Sequence, residues 1–496
     1  MALRLAWRHG MVTVAALVAL AASGRAQVPA QRPQPPLRQL AANLRVVTGM
    51  PGVKRALWGV VAYSLTGRQP LFELNPQTLL VPASTVKLLA AASAYESVGW
   101  DYRFETSVWA TGPIVAGTLQ GDLLVAGSGD PSFDSRGFAG VEDWATALGE
   151  LGIQRIDGRI IGDDDAVEEP RPALAWAWDD LGYSSGVLFG ALNTSENRLN
   201  VTVSPGARAG APAELSVEPY AAHRPLVSRA STAAADAAQF LWPEQRPAEP
   251  ALTIAGSIRA GAKPARLLVS AGDPTRWFAG VLRHHLIARG IVVAGEAVDI
   301  DDVQPAPQRE YATLLFTHRS APLRELVRPM LKDSVNLYGE ALMRLNSGPG
   351  ALPTNDAALE GLKRRLAAWG VAPDAQQIVD GSGLSRRNAL SPEALVVVLQ
   401  RMYDPTGESP FMQALPIAGV DGSLATKLKD TPAAGNLRAK TGTMSNIRTL
   451  AGYVTTRDKE DVALVVMVNN FEGTSAEAAA AIDAIAVRLA TFSRRP

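Results

Sequence analysis

The residues in this sequence whose types and spacing could best support catalysis are a serine and a lysine spaced three residues apart. Pro82 precedes Ser84, and a helix-forming run begins at Val86 and contains Lys87. Because residues i and i+3 share one face of a helix, the Lys87 amine can reach back to the Ser84 hydroxyl. The free N–H groups of a helix N-terminus also favour negative charge developing beside Ser84. This spacing indicates a nucleophilic serine with a lysine base; an N-cap serine with a solvated lysine is the alternative.

Polar stretches much further along the chain change the balance between these two interpretations. Ser334-Val335-Asn336 lies between helical segments, Lys440-Thr441-Gly442-Thr443 lies at the end of a strand, and Asp380 to Arg386 form a glycine-serine loop. Each stretch alone reads as a turn, a cap or an exposed strand edge. Their joint order, S-x-x-K, S-x-N and K-T-G, is the motif set of penicillin-interacting serine enzymes. The set therefore favours catalysis over structural roles.

Composition excludes several other functions. The chain has 496 residues with Lys+Arg 48 against Asp+Glu 48, so nothing indicates nucleic-acid binding. It contains no cysteine, which excludes a thiol nucleophile and thiolate zinc sites. Among the five histidines, the adjacent His284 and His285 cannot face one metal from one side of a helix. We expect no metal site and no cofactor.

The first residues have the pattern of a secretory signal peptide. Arg4 and Arg8 precede the apolar run from Met11 to Ala22, and Gly24-Arg25-Ala26 places small residues at both cleavage-site positions. A membrane anchor is the alternative, but the run is short for a bilayer span. We predict a signal peptide over residues 1–26 and export to the periplasm. The proline-rich segment 28–39 then reads as a linker.

The two ends of the mature chain share one structural pattern. Strand-like runs at 58–65 and 71–74 precede Ser84, and three more runs lie at 436–440, 448–455 and 462–468, before a closing helix at 475–492. Together they predict an α/β (α+β) fold in which one antiparallel five-stranded sheet has helices against it. The glycine-rich, short-stranded block between the first and second motifs must then be a mostly β insertion.

The resemblance of this sequence to a known family runs over nearly all of the mature chain. The chain resembles the D-alanyl-D-alanine carboxypeptidases/endopeptidases of the penicillin-binding protein 4 type, the low-molecular-mass class C proteins. Besides the motifs, the resemblance rests on the following stretches: Gly121-Asp122-Leu123, Gly129-Asp130-Pro131, Trp176 to Asp180, Ala191-Leu192-Asn193, Glu196-Asn197, Asp380 to Arg386 and Gly419 to Gly422. Val335 is a departure, since the family often has a polar residue there.

The resemblance implies a division of the chain and a fold. The catalytic domain, of the β-lactamase/transpeptidase-like type with helices on both sides of its sheet, would comprise residues 27–103 and 273–496. A β-rich second domain would comprise 104–140 and 245–272. A third domain, 141–244, would be nested within the second.

The resemblance also implies a role for each motif residue. Ser84 would attack the carbonyl between two D-alanines or a β-lactam amide, with neutral Lys87 as base. Ser334 would relay the proton and Asn336 would position Lys87. Lys440 would bind the terminal carboxylate of the substrate, and burial together with the Lys440 charge would lower the pKa of Lys87.

Substrate contacts are implied more loosely. Thr441, Gly442 and Thr443 would bind substrate, and the backbone N–H groups of Ser84 and Thr443 would form the oxyanion hole. Asp180 would pair with the free amine of the stem peptide, or else be a solvated loop acid. The expected partners are peptidoglycan stem peptides, with β-lactam antibiotics as inhibitors and no nucleic acid. Peripheral membrane association stays open.

Other interpretations compete with this one. Gly182-Tyr183-Ser184-Ser185-Gly186 matches the G-x-S-x-G nucleophile elbow, which needs a strand before it and a helix after it. A serine β-lactamase shares the three motifs, although this chain is longer and has the insertion. A non-catalytic cell-wall binding protein would not need all of the motif residues, which are intact here.

Overall fold

The computed structural model describes residues 35–218, 224–246, 249–348 and 350–495. The predicted signal peptide and most of the predicted linker lie outside these residues. The helices are α1 (Pro35–Thr48), α2 (Val86–Val98), α3 (Val141–Glu150), α4 (Pro274–Ala288), α5 (Leu323–Lys332), α6 (Asn336–Arg344), α7 (Asn355–Ala368), α8 (Pro392–Met402), α9 (Pro410–Gln413) and α10 (Ser475–Ala490).

The strands are short in the middle of the chain and longer near its ends. They are β1 (Leu57–Ser64), β2 (Gln69–Leu74), β3 (Glu105–Ala110), β4 (Ile114–Val115), β5 (Thr118–Leu119), β6 (Leu123–Ala126), β7 (Arg155–Ile156), β8 (Ile160–Asp163), β9 (Arg198–Ser204), β10 (Glu214–Glu218), β11 (Leu226–Ala233), β12 (Phe240–Gln245), β13 (Leu252–Arg259), β14 (Ala265–Ser270), β15 (Val292–Val293), β16 (Ala297–Asp299), β17 (Thr313–Arg319), β18 (Gln376–Gln377), β19 (Ala389–Leu390), β20 (Arg438–Met444), β21 (Ile447–Thr455) and β22 (Asp461–Asn469).

Both ends of the chain build one antiparallel sheet of five strands, in the order β2-β1-β22-β21-β20. Because successive side chains of a strand point to opposite faces, β22 contributes to two separate cores. Val466 and Val468 pack with α1 and α10, whereas Val465 and Met467 pack with α2 and α5 to α8. The sheet is therefore covered by helices on both faces, and the predicted fold class is confirmed.

Helix α2 is the central helix of the catalytic half. Its residues from Val86 to Ala94 are all buried, because the sheet covers one side and other helices cover the rest. Gly99, at φ 79°, ends it. A helix this deeply buried holds its polar residues rigidly, and Lys87 is among them.

The block between the first two motifs contains several sheets. β16-β8-β6-β3-β17 and β15-β7-β5-β4 form two of them, and α4 packs against β8 and β16. The segment 274–319 therefore pairs with the insertion, although the predicted boundary at 273 assigned it to the catalytic domain. We propose a boundary near Ser320 instead, because β17 is the last strand that pairs with β3.

The innermost part of the insertion also differs in extent from the prediction. Strands β9 to β14, residues 198–270, form two three-stranded sheets, β10-β9-β14 and β11-β13-β12. Their pairing crosses the predicted boundary at 244, and we propose 198–270 as the nested unit. β10, β11 and β12 lie where the sequence shows little periodicity, and α1 begins at Pro35, within the segment predicted as a linker. In the described ranges, no helix is both long and apolar enough to cross a membrane.

Candidate active site

Ser84 lies in a turn of 3-10 helix, Ala83–Thr85, directly before α2. The Lys87 Nζ atom lies 2.9 Å from Ser84 Oγ, as the three-residue spacing predicted. It also donates to Asn336 Oδ1 at 2.7 Å and to the Ser382 carbonyl oxygen at 2.5 Å. The lysine is thus fixed between the nucleophile and two acceptors that come from different parts of the chain.

The environment of Lys87 lowers its pKa to about 7. Burial is the main cause, because desolvation disfavours the ammonium form. The charges of Asp380 and Glu340 act in the opposite direction. The expectation that the Lys440 charge would contribute alongside burial is therefore not supported: the charges that matter most at Lys87 are those two acids. A lysine with this pKa is substantially neutral at physiological pH.

A hydrogen bond joins the second motif to the third. Lys440 Nζ donates to Ser334 Oγ at 2.8 Å and to the Thr441 carbonyl oxygen at 2.7 Å. Burial, followed by the charge of Lys87, holds the pKa of Lys440 well below its ordinary value, while Asp333 opposes the shift. Ser334 has a φ of 62°, in the left-handed region that few non-glycine residues adopt. The structure thus brings the residues of all three motifs together.

The loop from Asp380 to Gly383 packs against Lys87 and supplies one of its hydrogen-bond acceptors. Glu340, which is buried on α6, accepts the N–H groups of Gly381 and Ser382 at 3.1 and 2.9 Å and so orients the Ser382 carbonyl towards the lysine. Gly383, at φ 81°, touches the nucleophile's own backbone: a Cβ atom there would lie 2.0 Å from the Ala83 oxygen. Sequence reasoning identified this loop as a family feature but did not identify Glu340, since a single acid within a helix gives no signal.

The K-T-G strand β20 is the edge of the central sheet. Gly442 is needed because a Cβ atom there would lie 2.1 Å from Thr449 Oγ1. The hydroxyl groups of Thr441 and Ser423 are 2.7 Å apart, and Thr443 is exposed. The edge strand therefore carries two hydroxyl side chains, those of Thr441 and Thr443, directly after Lys440.

Residues of the insertion contact this site in ways that the sequence did not reveal. Asn336 Nδ2 donates to the Ser185 carbonyl oxygen at 2.8 Å, and Trp176 Nε1 donates to Asp380 Oδ2 at 2.9 Å. Arg136 Nη1 forms an ion pair with Asp333, the neighbour of Ser334, at 2.6 Å. Loop residues far apart in sequence make these contacts, so no local pattern indicates them.

The nucleophile elbow considered for Ser184 is wrong. Residues 182–186 form consecutive turns, with a 3-10 segment, Trp178–Asp180, before them and an irregular segment after them. Only Tyr183 makes a bridge, with Val269. An elbow requires a strand leading into a helix, and neither is present in this part of the described chain.

Asp180 is half-buried at the end of the 3-10 segment. Burial raises the pKa of its carboxyl, the neighbouring Asp179 raises it further, and Arg386 lowers it. Asp180 lines a cavity of about 500 Å³ together with a set of aromatic and acidic side chains: Trp178, Asp179, Tyr183, Phe240, Trp242 and Glu244. Within the described residues, no group of three or more His, Asp and Glu side chains is arranged to hold a metal ion.

The fold and the site define a serine enzyme of the penicillin-interacting class. Residues 40–492 match the profile of the D-Ala-D-Ala carboxypeptidase 3 (S13) family, and the chain belongs to that family. The predicted family and enzyme class are confirmed.

Individual relatives agree with this assignment. The D-alanyl-D-alanine carboxypeptidase of Actinomadura sp. (strain R39) is 30% identical, over 92% of this chain and 85% of the relative. Among solved structures, penicillin binding protein 4 from Haemophilus influenzae superimposes with a TM-score of 0.77 at 25% identity, covering 90% of this chain and 98% of that one. A structure of the same Haemophilus influenzae protein complexed with a β-lactam has a TM-score of 0.72 at 24% identity, over the same shares of the two chains.

Proposed function

We propose that this protein hydrolyses the D-Ala-D-Ala bond of peptidoglycan stem peptides, and the corresponding bond in cross-links, through an acyl-enzyme on Ser84. β-Lactams acylate the same serine. The observation that supports this most directly is the position of Lys87: its Nζ atom is 2.9 Å from Ser84 Oγ, and its pKa is about 7. A general base works best when its pKa lies near the operating pH.

The contacts suggest a route for the proton. Neutral Lys87 accepts the Ser84 hydroxyl proton while Oγ forms a bond to the substrate carbonyl carbon. The C–N bond then breaks, and the leaving nitrogen receives a proton from Ser334, which is replenished through the lysines. Water afterwards attacks the ester, and Ser84 recovers its proton as the shortened peptide leaves. Asn336 keeps Lys87 in position throughout.

Lys440, Thr441 and Thr443 are proposed to bind the terminal carboxylate. The position of Lys440 beside Thr441 supports this role. An arriving carboxylate would favour the ammonium form, against the burial that depresses the pKa of Lys440, and would accept a charge-assisted hydrogen bond. The N–H groups of Ser84 and Thr443 would stabilise the oxyanion, each contributing roughly 3–4 kcal/mol. Gly442 keeps this edge free of a side chain.

A labelling experiment tests the assignment of the nucleophile. A fluorescent penicillin should label the protein, and peptide mapping should place the adduct on the peptide that contains Ser84. Ser84→Ala should abolish labelling, while Ser184→Ala, in a turn outside the three motifs, should leave it unchanged. Labelling that persists in Ser84→Ala would disprove the mechanism. A label that is released within seconds would instead indicate a β-lactamase.

The aromatic cavity beside Asp180 is proposed to bind the free amine of the stem-peptide side chain. Trp178, Tyr183 and Phe240 are exposed large hydrophobic residues, and aromatic faces together with a carboxylate attract an ammonium group. A short stretch of the chain links the residues of this cavity to the active site. Asp180 and Tyr183 are joined by a backbone hydrogen bond, and Ser185, two residues on, contacts Asn336.

Export to the periplasm is also part of the proposal, motivated by the charged and apolar start of the chain. Amino-terminal sequencing of the exported protein should begin at Gln27. Recovery of the full-length chain in membranes after a carbonate wash would contradict cleavage. Release of a processed chain by that wash would show peripheral association.

A further inference from the structure

A cavity of about 520 Å³ lies immediately beyond the K-T-G edge, between the sheet and α10. Its lining includes Thr441, Gly442 and Thr443, so it opens next to the residues proposed to hold the substrate carboxylate. None of Ser84, Lys87, Ser334 and Lys440 lines it. The cavity is therefore adjacent to the catalytic centre but distinct from it.

The lining combines an apolar floor with a charged rim. Leu424, Leu450, Ala479 and Ile482 form the floor, and Ile482 and both leucines are buried. Besides Thr441 and Thr443, the polar groups of the lining are Ser423, Lys427, Arg448, Thr449, Ser475 and Asp483. Such a surface suits a chain of methylene groups that ends in a polar or charged group.

Two basic residues line the cavity, and Arg448 already donates to the carbonyl oxygens of Met444 and Ile447, so Lys427 is the one better placed to bind a charged ligand. Its side chain is exposed and makes no hydrogen bond or ion pair with any of the residues that the structure describes. Burial raises the pKa of the neighbouring Asp483, and the positive charge of Lys427 acts against that shift. An exposed lysine with no ion-pair partner among the described residues can pair with a carboxylate that approaches along the floor.

The size of the cavity distinguishes between leaving groups. In a D-Ala-D-Ala substrate the leaving residue has only a methyl side chain, which needs a small fraction of this volume. In a cross-link the leaving residue is a diamino acid, whose side chain continues through methylene groups into a second, acidic stem peptide. The carboxylate and side chain of that residue share one carbon atom. A carboxylate held at Lys440 and Thr441 therefore places the start of the side chain beside the cavity.

We propose that this cavity binds the side chain of the leaving diamino acid in cross-linked peptides, and that Lys427 pairs with a carboxylate of the second stem peptide. The assignment rests on the proposed function, and it makes the cavity a determinant of endopeptidase activity. It predicts that carboxypeptidase and endopeptidase activities can be separated by changes around α10.

A filling substitution tests the assignment. Ala479→Phe places a ring in the cavity, whereas Ala480→Phe, its exposed neighbour that does not line the cavity, is the matched control. With purified muropeptides, Ala479→Phe should lower kcat/KM for a cross-linked dimer by roughly tenfold. It should leave D-Ala release from a monomeric pentapeptide, and penicillin acylation, close to wild type. Ala480→Phe should change none of the three.

A second pair of variants avoids steric change. Lys427→Met should lower dimer cleavage by roughly two- to fivefold, as expected for an exposed ion pair, and should leave pentapeptide hydrolysis unchanged. Lys429→Met, two residues on and outside the cavity lining, is its control. Unchanged dimer cleavage in both Ala479→Phe and Lys427→Met, or an equal fall in dimer and pentapeptide hydrolysis, would overturn the assignment. A wild-type protein that releases no D-Ala from the pentapeptide would instead overturn the proposed function itself.

Discussion

The catalytic half and the insertion contribute to one active site in different ways. The catalytic half supplies the side chains that are proposed to react, including Ser84 and Lys87. The insertion supplies contacts to the segments that hold them, through the Ser185 carbonyl, Trp176 and Arg136. Asn336, which contacts Ser185, also accepts a hydrogen bond from Lys87, so the insertion is one residue removed from the lysine.

The contacts around the two lysines are more deeply buried than the ion pair from the insertion, and burial determines how strongly a substitution should affect activity. Lys87 and Lys440 are fully buried, whereas the Arg136 and Asp333 side chains are 33% and 47% exposed. Water screens an exposed ion pair, but a buried charge depends entirely on its protein neighbours. We therefore expect large effects from changes around Lys87 and small effects from changes at the insertion contacts.

The largest effect is expected at Lys87. Lys87→Arg retains a charge that cannot be lost near neutral pH, so acylation by penicillin should fall by roughly 10²- to 10⁴-fold. In the wild type only the neutral amine accepts a proton. The acylation rate should therefore rise with pH through about 7, the pKa of Lys87, and then level off. Stopped-flow acylation from pH 5 to pH 9 measures both effects.

Lys363→Arg provides the control for this substitution, because Lys363 is an exposed lysine on α7. It should acylate like the wild type at every pH. A Lys87→Arg protein that acylates normally, or a wild-type profile that is flat around pH 7, would remove Lys87 from the role of base.

The next largest effect is expected at Gly383. Both Gly383→Ala and Gly407→Ala place an alanine at positive φ, 81° and 71°, and so share the cost of that backbone conformation. Only at Gly383 would the new Cβ meet backbone, 2.0 Å from the Ala83 oxygen, whereas nothing lies within 4 Å at Gly407. Gly383→Ala should displace Ser84 and lower acylation by about a hundredfold.

Circular dichroism and thermal unfolding check that both alanine variants fold. Gly407→Ala should lose only about 1 kcal/mol of stability and retain wild-type acylation. If the two variants acylated equally well, the contact between the loop and the nucleophile would have no catalytic importance.

Asp180 tests a second contribution of the insertion, the proposed binding of the stem-peptide amine, which a β-lactam does not use. Asp180→Ala should lower kcat/KM for stem peptides by roughly ten- to a hundredfold, the loss expected for a charge-assisted contact of about 1.5–3 kcal/mol. Penicillin acylation should stay near wild type. Asp236→Ala, an exposed acid elsewhere in the insertion, is the control. Unchanged peptide hydrolysis would make Asp180 a surface acid, and a parallel fall in acylation would indicate a disturbed fold.

The motif residues that the sequence singled out lie together in the structure, but the sequence did not indicate the residues that support them, for a physical reason. Ser84 and Lys87 are three residues apart, so helix geometry alone relates them. Strands β1, β21 and β22 are nearly continuous apolar runs bounded by turns, so the central sheet was predictable too. Glu340 and Arg136 instead act across separations of tens to hundreds of residues, as in the hydrogen bond from Gly381 to Glu340 and the ion pair with Asp333. No spacing rule connects such residues before the chain is folded.

The smallest effect is expected at Arg136, and it separates support from substrate recognition. Arg136 joins Glu196 within the insertion and Asp333 beside Ser334. Arg136→Met keeps the length of the side chain but removes both ion pairs. A partly exposed ion pair contributes about 0–1 kcal/mol, so acylation should fall by at most roughly fivefold.

Which activities fall in Arg136→Met matters more than how far they fall. Ser334 serves every substrate, so a loss of support there should lower penicillin acylation and peptide hydrolysis by the same factor, unlike Asp180→Ala. Arg155→Met provides the control, because Arg155 forms an exposed ion pair with Asp157 within the insertion. The comparison requires the kinetics of the wild type, Arg136→Met and Arg155→Met with penicillin and with a pentapeptide. If Arg136→Met lowered peptide hydrolysis alone, the insertion would act on the substrate and not on the catalytic residues.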